Sequence, residues 1–96
     1  MVMGFRMPDV ADTLFKTLAD PTRRALFERL CREGEQTVSA LTARAGISQP
    51  AVSKHLGLLR QAGLVTSARE GRYVYYTLDL GATARLGGDI IDALLR

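Results

Sequence analysis

A turn of three residues, GIS at positions 46–48, separates two predicted amphipathic helices and so fixes them as close neighbours. The helix before it begins at Thr37, whose hydroxyl can accept a backbone N–H, and ends at Gly46, since glycine suits a left-handed conformation. The helix after it begins at Ser48 and runs to about residue 62, with Pro50 in the first turn, where a missing N–H costs little. Its inner apolar stripe comprises Val52, Leu56 and Leu59. Two helices joined by so short a glycine-containing turn form the helix-turn-helix pattern.

The outer face of the second helix has no acidic residue and offers hydrogen-bonding side chains. Glutamine can pair with adenine through two hydrogen bonds, lysine can donate to guanine or phosphate, and serine tolerates several partners. We therefore interpret residues 48–62 as a recognition helix for the major groove of double-stranded DNA; the alternative is a core helix with a solvated back. The candidate DNA-binding residues are Ser48, Gln49, Ser53, Lys54, His55 and Arg60. His55 keeps two interpretations, packing beside the apolar stripe or a hydrogen bond to a DNA phosphate.

A β-hairpin is predicted directly after this helix, where the sequence changes to residues that favour strands. Gly71 fits a hairpin tip that needs positive φ, and Arg69 and Arg72 flank it. Arginine suits phosphate and narrow minor grooves, so residues 66–77 are interpreted as a wing on the DNA backbone or minor groove. The alternative for both arginines is that of solvated turn residues. The three tyrosines of this segment could stack on nucleic-acid bases, but packing on the helical core is preferred for at least Tyr76.

The remaining segments predict three further helices. The first covers about residues 9–19, the second begins at the Asp20-Pro21 pair and ends at Gly34, and the last covers residues 82–96. The predicted fold is mainly α with a small β-hairpin, in the order helix, helix, helix, helix, hairpin, helix. We expect one domain over residues 1–96 with a winged helix-turn-helix architecture.

Positive charge is concentrated in the segment that holds these motifs. The 96-residue chain has a net charge of +3. Residues 36–78 contain five basic residues and one acid, whereas the remainder contains eight basic residues and nine acids. This distribution favours a polyanionic partner for residues 36–78, which hold the helix-turn-helix and the hairpin.

Three separated motifs, LADPTRRALFERL, ISQPAVSKHLGLLRQAGLV and REGRYVYYTL, together resemble the ArsR-type (ArsR/SmtB) winged-helix transcriptional repressors of bacteria. The resemblance covers about residues 18–78. It implies a symmetric homodimer formed by the terminal helices (about 9–19 and 82–96), and it also implies repression. Two recognition helices would then meet half-sites about 34–36 Å apart on an imperfect palindromic operator. The apolar stripes of both terminal helices agree with such an interface, because so small a core cannot cover them.

Several classes of site are not expected. One cysteine and one histidine are too few for the metal sites that many ArsR-type proteins use, so no metal and no cofactor is predicted. A single cysteine allows no intrachain disulfide, and no apolar run is long enough to span a membrane, which together favour a cytoplasmic location. No nucleophile–base–acid set and no phosphate-binding glycine loop is present, so the chain is not predicted to be an enzyme.

Two alternatives remain open beside a DNA-binding regulator that has no sensor site. Arg29 and Arg32 lie near Cys31 in sequence and could lower the pKa of its thiol, which would make the protein a thiol-responsive or metal-responsive sensor of the same fold. A winged helix that binds only proteins is the other alternative. The sequence does not identify an inducer, an operator or the regulated genes.

Overall fold

The computed structural model describes the backbone of residues 10–81 and the side chains of residues 13–81, so the predicted closing helix (82–96) lies outside the described residues. The elements within this range confirm a mainly α fold with a small antiparallel sheet. They are α1 (Val10–Ala19), α2 (Pro21–Glu33), β1 (Gln36–Thr37), α3 (Val38–Ala43), α4 (Gln49–Gln61), β2 (Val65–Glu70) and β3 (Tyr73–Leu78). None of the described helices is both long and apolar enough to span a membrane.

The starts of the helices follow the capping signals in the sequence. The Asp20 carboxylate accepts a hydrogen bond from the backbone N–H of Arg23 at 3.0 Å, and Pro21 occupies the first turn of α2. Thr37 caps α3 through the N–H of Ala40, and Ser48 caps α4 through the N–H of Ala51. These hydroxyl and carboxylate caps satisfy N–H groups that have no partner inside the helix. All three predicted caps are confirmed.

The end predicted for α3 is wrong by two residues. The helix stops at Ala43, with Arg44 as its C-cap, and five residues rather than three separate it from α4. Gly46 does adopt the predicted positive φ, at 72°, but inside the connection rather than directly after the helix. Ala45 still packs against the core, so the connection remains compact.

The hairpin has the predicted place and an additional strand beside it. Glu70 pairs with Tyr73, which leaves Gly71 and Arg72 as a two-residue turn. Only Gly71 has positive φ, at 61°, as in a type II′ turn with glycine in the first central position. The sheet order is β1-β3-β2, and β1 pairs with Tyr75 and Tyr76 of β3. This pairing, which the sequence does not predict, attaches the start of α3 to the hairpin; we call the β2–β3 hairpin the wing.

A single apolar core lies between the helices and the inner face of the wing. Its buried side chains are Leu14, Leu18, Leu26, Phe27, Leu30, Val38, Leu41, Val52, Leu56, Leu59, Leu64, Val65 and Tyr76. Tyr76 therefore packs in the core, as preferred from the sequence. Burying a valine or leucine side chain contributes about 1.5–3 kcal/mol, and α4 buries one valine and two leucines along one stripe. This stripe fixes the rotation of α4 and leaves its opposite face to solvent.

Candidate nucleic-acid interface

The outer face of α4, which we define by Gln49, Ser53 and Lys54, is exposed to solvent. Gln49 and Ser53 are four residues apart and so lie one above the other on the helix. Among the described residues, none makes a hydrogen bond or an ion pair with the side chain of Gln49, Ser53 or Lys54. The apolar stripe on the opposite face of α4 is fully buried. The first turn of α4 contains no acid. Its donors and acceptors are therefore available to a partner molecule.

A groove joins this face to the wing and to the start of α3. We call it the wing groove; it has a volume of about 220 Å³, and the described residues that line it include no acid. The lining residues are Thr37, Val38, Ser39, Gln49, Ser53, Arg72, Tyr73, Val74 and Tyr76. The structure thus brings Gln49 and Ser53 of α4 to the same groove as Arg72 of the wing. The β1–β3 pairing makes this possible, because it holds the first residues of α3 beside β3.

The two wing arginines have different surroundings. The guanidinium carbon of Arg72 lies 5.4 Å from the centre of the Tyr73 ring, within the range of a cation–π interaction. The Nε of Arg69 donates to the carbonyl oxygen of Gly71 at 3.2 Å, so this side chain folds back on its own turn. Both side chains are exposed. Arg72 belongs to the wing groove, whereas Arg69 lies at the tip of the hairpin outside it.

Arg60 lies at the other end of α4, about 16 Å along the helix axis from Gln49 at 1.5 Å per residue. Its Nη1 donates to the hydroxyl of Ser67 on β2 at 3.2 Å. This hydrogen bond links the last turn of α4 to the wing. Arg60 is therefore separate from the outer-face residues and connects the recognition helix to the hairpin.

His55 is half-buried, unlike the neighbouring Lys54. Its Nδ1 is buried and has no hydrogen-bond partner among the described residues. The burial of this ring nitrogen favours packing beside the apolar stripe of α4 over contact with a phosphate.

The surroundings of Cys31 do not favour a reactive thiolate. Burial raises the pKa of its thiol, the charge of Glu28 raises it further, and Arg32 lowers it only in part. Arg29, the other arginine expected to activate the thiol, instead donates to two carbonyl groups of α3. Arg32 thus lowers the pKa of the Cys31 thiol as expected, but burial and Glu28 outweigh it and the net direction is upward. Within residues 13–81, no group of three or more His, Cys, Asp or Glu side chains lies close enough together to hold a metal ion.

Sequence reasoning missed the contribution of α3 to this surface. Thr37 and Ser39 line the wing groove, although only the capping role of Thr37 is evident from the sequence. Tyr73 also lines it, with an exposed ring. The absence of acids from residues 36–69 is a sequence signal for this surface, but the strand that assembles it is too short to predict.

The fold and this surface define a winged helix-turn-helix protein, and comparisons with known proteins agree. A family model described as a helix-turn-helix domain matches residues 18–68, more than half of the chain. The arsenic resistance transcriptional regulator ArsR1 of Pseudomonas putida is 46% identical over 65 residues, which cover 68% of this chain and 51% of the relative. The biofilm growth-associated repressor of Agrobacterium fabrum is 44% identical over 84 residues, or 88% of this chain and 70% of the relative.

A solved structure gives the same result for the fold. The homodimeric winged helix-turn-helix DNA-binding domain from Mycobacterium bovis superposes with a TM-score of 0.72 at 29% identity, covering 88% of this chain and 82% of that domain. The chain belongs to the ArsR-type family of helix-turn-helix transcriptional regulators, as the resemblance of its three motifs implies. It spans about half the length of the Pseudomonas putida relative.

Proposed function

We propose that the protein is a homodimeric transcriptional repressor that binds double-stranded DNA in a sequence-specific manner. One observation carries the proposal: an exposed, acid-free helix face with unengaged polar side chains lies beside a basic wing. A helix-turn-helix protein places such a face in the major groove, where its N-terminal residues meet base edges. The repressor assignment is supported by the relatives, one of which is described as a biofilm growth-associated repressor.

The outer-face residues receive separate roles. Gln49, in the first turn of α4, pairs with adenine through its amide, and Lys54 donates to guanine or to a phosphate. Ser53 lies one turn after Gln49 and contacts either a base or the backbone. Arg69 and Arg72 bring the wing to the backbone or the minor groove, where guanidinium groups bind well.

Dimerisation uses the terminal helices, about residues 9–19 and 82–96, within one domain of residues 1–96. Support comes from Phe15 of α1, whose side chain is 44% exposed although it is large and apolar. The Mycobacterium bovis domain is also described as homodimeric. A two-fold axis between two recognition helices requires an imperfect palindrome with half-sites about 34–36 Å apart. We assign no inducer.

The test is a binding titration with the purified full chain and the DNA upstream of its own gene, with footprinting to locate the protected sequence. Replacing Gln49 and Lys54 with Ala should weaken operator binding by about 1–3 kcal/mol for each side chain that pairs with a base edge. Gln61→Ala is a matched control, because Gln61 is exposed at the opposite end of the same helix. Binding should also weaken as salt rises, since phosphate contacts release counterions.

Two results would contradict the proposal. Wild-type operator affinity in the Gln49/Lys54 double variant would show that α4 does not read bases. Failure of the wild-type protein to bind any duplex over a wide range of salt would instead favour a winged helix that binds only proteins.

A further inference from the structure

The wing groove has the chemistry of an anion site at the border between the recognition helix and the wing. Arg72, Ser39 and Tyr73 come from different elements to line one cavity, and none of the described residues that line it is acidic. We infer, resting on the proposed DNA-binding function, that this groove binds one backbone phosphate of the operator. Arg72 supplies the charge, and Ser39 and Tyr73 donate hydrogen bonds from their hydroxyls.

The size and donors of the groove favour a phosphate over a base or a small-molecule ligand. Its volume of about 220 Å³ is below the roughly 300 Å³ at which typical small-molecule pockets begin, but it is ample for a phosphate group. Hydroxyl and guanidinium groups are common phosphate ligands in protein–DNA complexes, where they set the register of the protein without reading sequence. When α4 enters the major groove, a phosphate backbone borders that groove on the side of the wing.

The hydroxyls are free to donate. Thr37 also lines the groove, but its hydroxyl already accepts the N–H of Ala40 at 3.0 Å as the cap of α3. Ser39 and Tyr73 have no such engagement among the described residues, and both side chains are exposed. Within the groove, the Ser39 hydroxyl is therefore the one from α3 that is available to donate to a ligand.

The charged group of the groove, the Arg72 guanidinium, contacts an aromatic ring next to it in sequence. Arg72 lies over the Tyr73 ring at 5.4 Å, and the two residues are consecutive in the tight turn and the start of β3. Glu70 pairs with Tyr73 across the hairpin and is the one acid of the wing sequence, yet it does not line the groove. A phosphate in the groove thus meets Arg72 and not Glu70.

The position of the groove also explains a function for the short β1 strand. Its pairing with Tyr75 and Tyr76 fixes the first turn of α3 against β3. Ser39 follows β1 by two residues, and Tyr73 precedes the paired residues of β3, so this pairing brings both to one groove. We therefore regard β1 as the element that positions the phosphate site.

The test combines protein variants with chemically modified DNA. Ser39→Ala and Tyr73→Phe each remove one hydroxyl and no charge, so each should weaken binding by about two- to tenfold. The decrease should be equal for the operator and an unrelated duplex, with an unchanged salt dependence. Tyr75→Phe is the matched control, because Tyr75 is a half-buried tyrosine of the same strand that does not line the groove.

The decisive step replaces operator phosphates one at a time with neutral methylphosphonates. One position per half-site should weaken binding of the wild-type protein more than binding of the Ser39→Ala/Tyr73→Phe double variant, which keeps only the Arg72 contact to that phosphate. If no position behaves in this way, or if the double variant binds like the wild type, the phosphate site is wrong. The Gln49→Ala variant would still bind the operator more weakly in that case, so the failure would be distinguishable from a failure of the proposed function.

Discussion

Arg23 and Arg29 of α2, and Arg44 directly after α3, belong to the same chemical class as the basic residues of α4 and the wing but have different surroundings. Arg23 donates to the carbonyl of Thr17, Arg29 donates to the carbonyls of Leu41 and Ala40, and Arg44 pairs with Glu33 at 2.7 Å. The basic residues of the second group contact no acidic side chain within residues 13–81. They are Lys54, Arg60, Arg69 and Arg72.

This difference separates basic residues that hold the fold together from those available to DNA. The segment 36–78 has an excess of positive charge, but one of its five basic residues, Arg44, is compensated by Glu33 outside the segment. Within this segment, the basic residues without an acidic partner are thus confined to α4 and the wing. Sequence charge alone could not make this distinction, since it depends on which acids and carbonyl groups the fold brings near.

The largest effect on stability is expected from Arg29→Ala. The Arg29 side chain is mostly buried and donates to carbonyl groups at the end of α3, at 2.9 and 3.3 Å. Its removal should lower the free energy of unfolding by about 1.5–3 kcal/mol, because hydrogen bonds from charged groups are strong and the carbonyls are left without their partner. Urea denaturation measures this change.

Arg44→Ala is the matched control for that measurement. The Arg44–Glu33 pair is solvated, with the arginine side chain 61% exposed. Its removal should cost about 0–1 kcal/mol. Equal decreases for Arg29 and Arg44 would show that the carbonyl contacts of Arg29 do not stabilise the connection between α2 and α3.

A smaller and different effect is expected from Arg72→Ala. The free energy of unfolding should stay near that of the wild type, because Arg72 is exposed and has no acidic partner in the described chain. The slope of log affinity against log salt should decrease in magnitude by about 0.9, the value for one phosphate contact. Titrations at several salt concentrations measure it; an unchanged slope would remove Arg72 from the DNA-contacting set.

The smallest effect concerns acid stability at the start of α2. The N–H of Arg23 holds the pKa of Asp20 below its ordinary value of 3.8. The folded protein therefore binds fewer protons at this site than the unfolded chain, so the stabilisation is complete above the ordinary pKa and is lost as pH falls through the folded one. Asp20→Asn keeps a capping oxygen but cannot titrate. Its unfolding free energy should fall less steeply between about pH 5 and pH 3 than that of the wild type; parallel curves would contradict this assignment.

The elements with local signals could be predicted, and those that depend on distant partners could not. Capping residues define the start of α2 and α4, and the change in apolar spacing together with Gly71 defines the hairpin. β1 has two residues and no strand-forming run, and it exists because β3 pairs with it almost forty residues later. The end of α3 cannot be placed from Gly46, because this glycine has the expected backbone conformation inside the connection and not directly after the helix.

The candidate site shows the same division. The outer face of α4 follows from helical spacing and the absence of acids, so Gln49, Ser53 and Lys54 could be proposed from the sequence. The place of Ser39 and Tyr73 in the wing groove depends on the pairing of β1 with β3, so it could not be proposed from the sequence. The sequence also leaves His55 unassigned, and the burial of its Nδ1 becomes visible only once α4 is packed.

The central claim is that the outer face of α4 reads the sequence of DNA, and a specificity ratio tests it most directly. The ratio compares affinity for the footprinted operator with affinity for a scrambled duplex at one salt concentration, for the wild type, Gln49→Ala/Ser53→Ala and Gln61→Ala. The double variant keeps its full charge, so its affinity for the scrambled duplex should be retained. The difference in binding free energy between the operator and the scrambled duplex should fall by about 1–3 kcal/mol per base contact. Gln61→Ala should keep the wild-type ratio. A double variant with the wild-type ratio would contradict the claim.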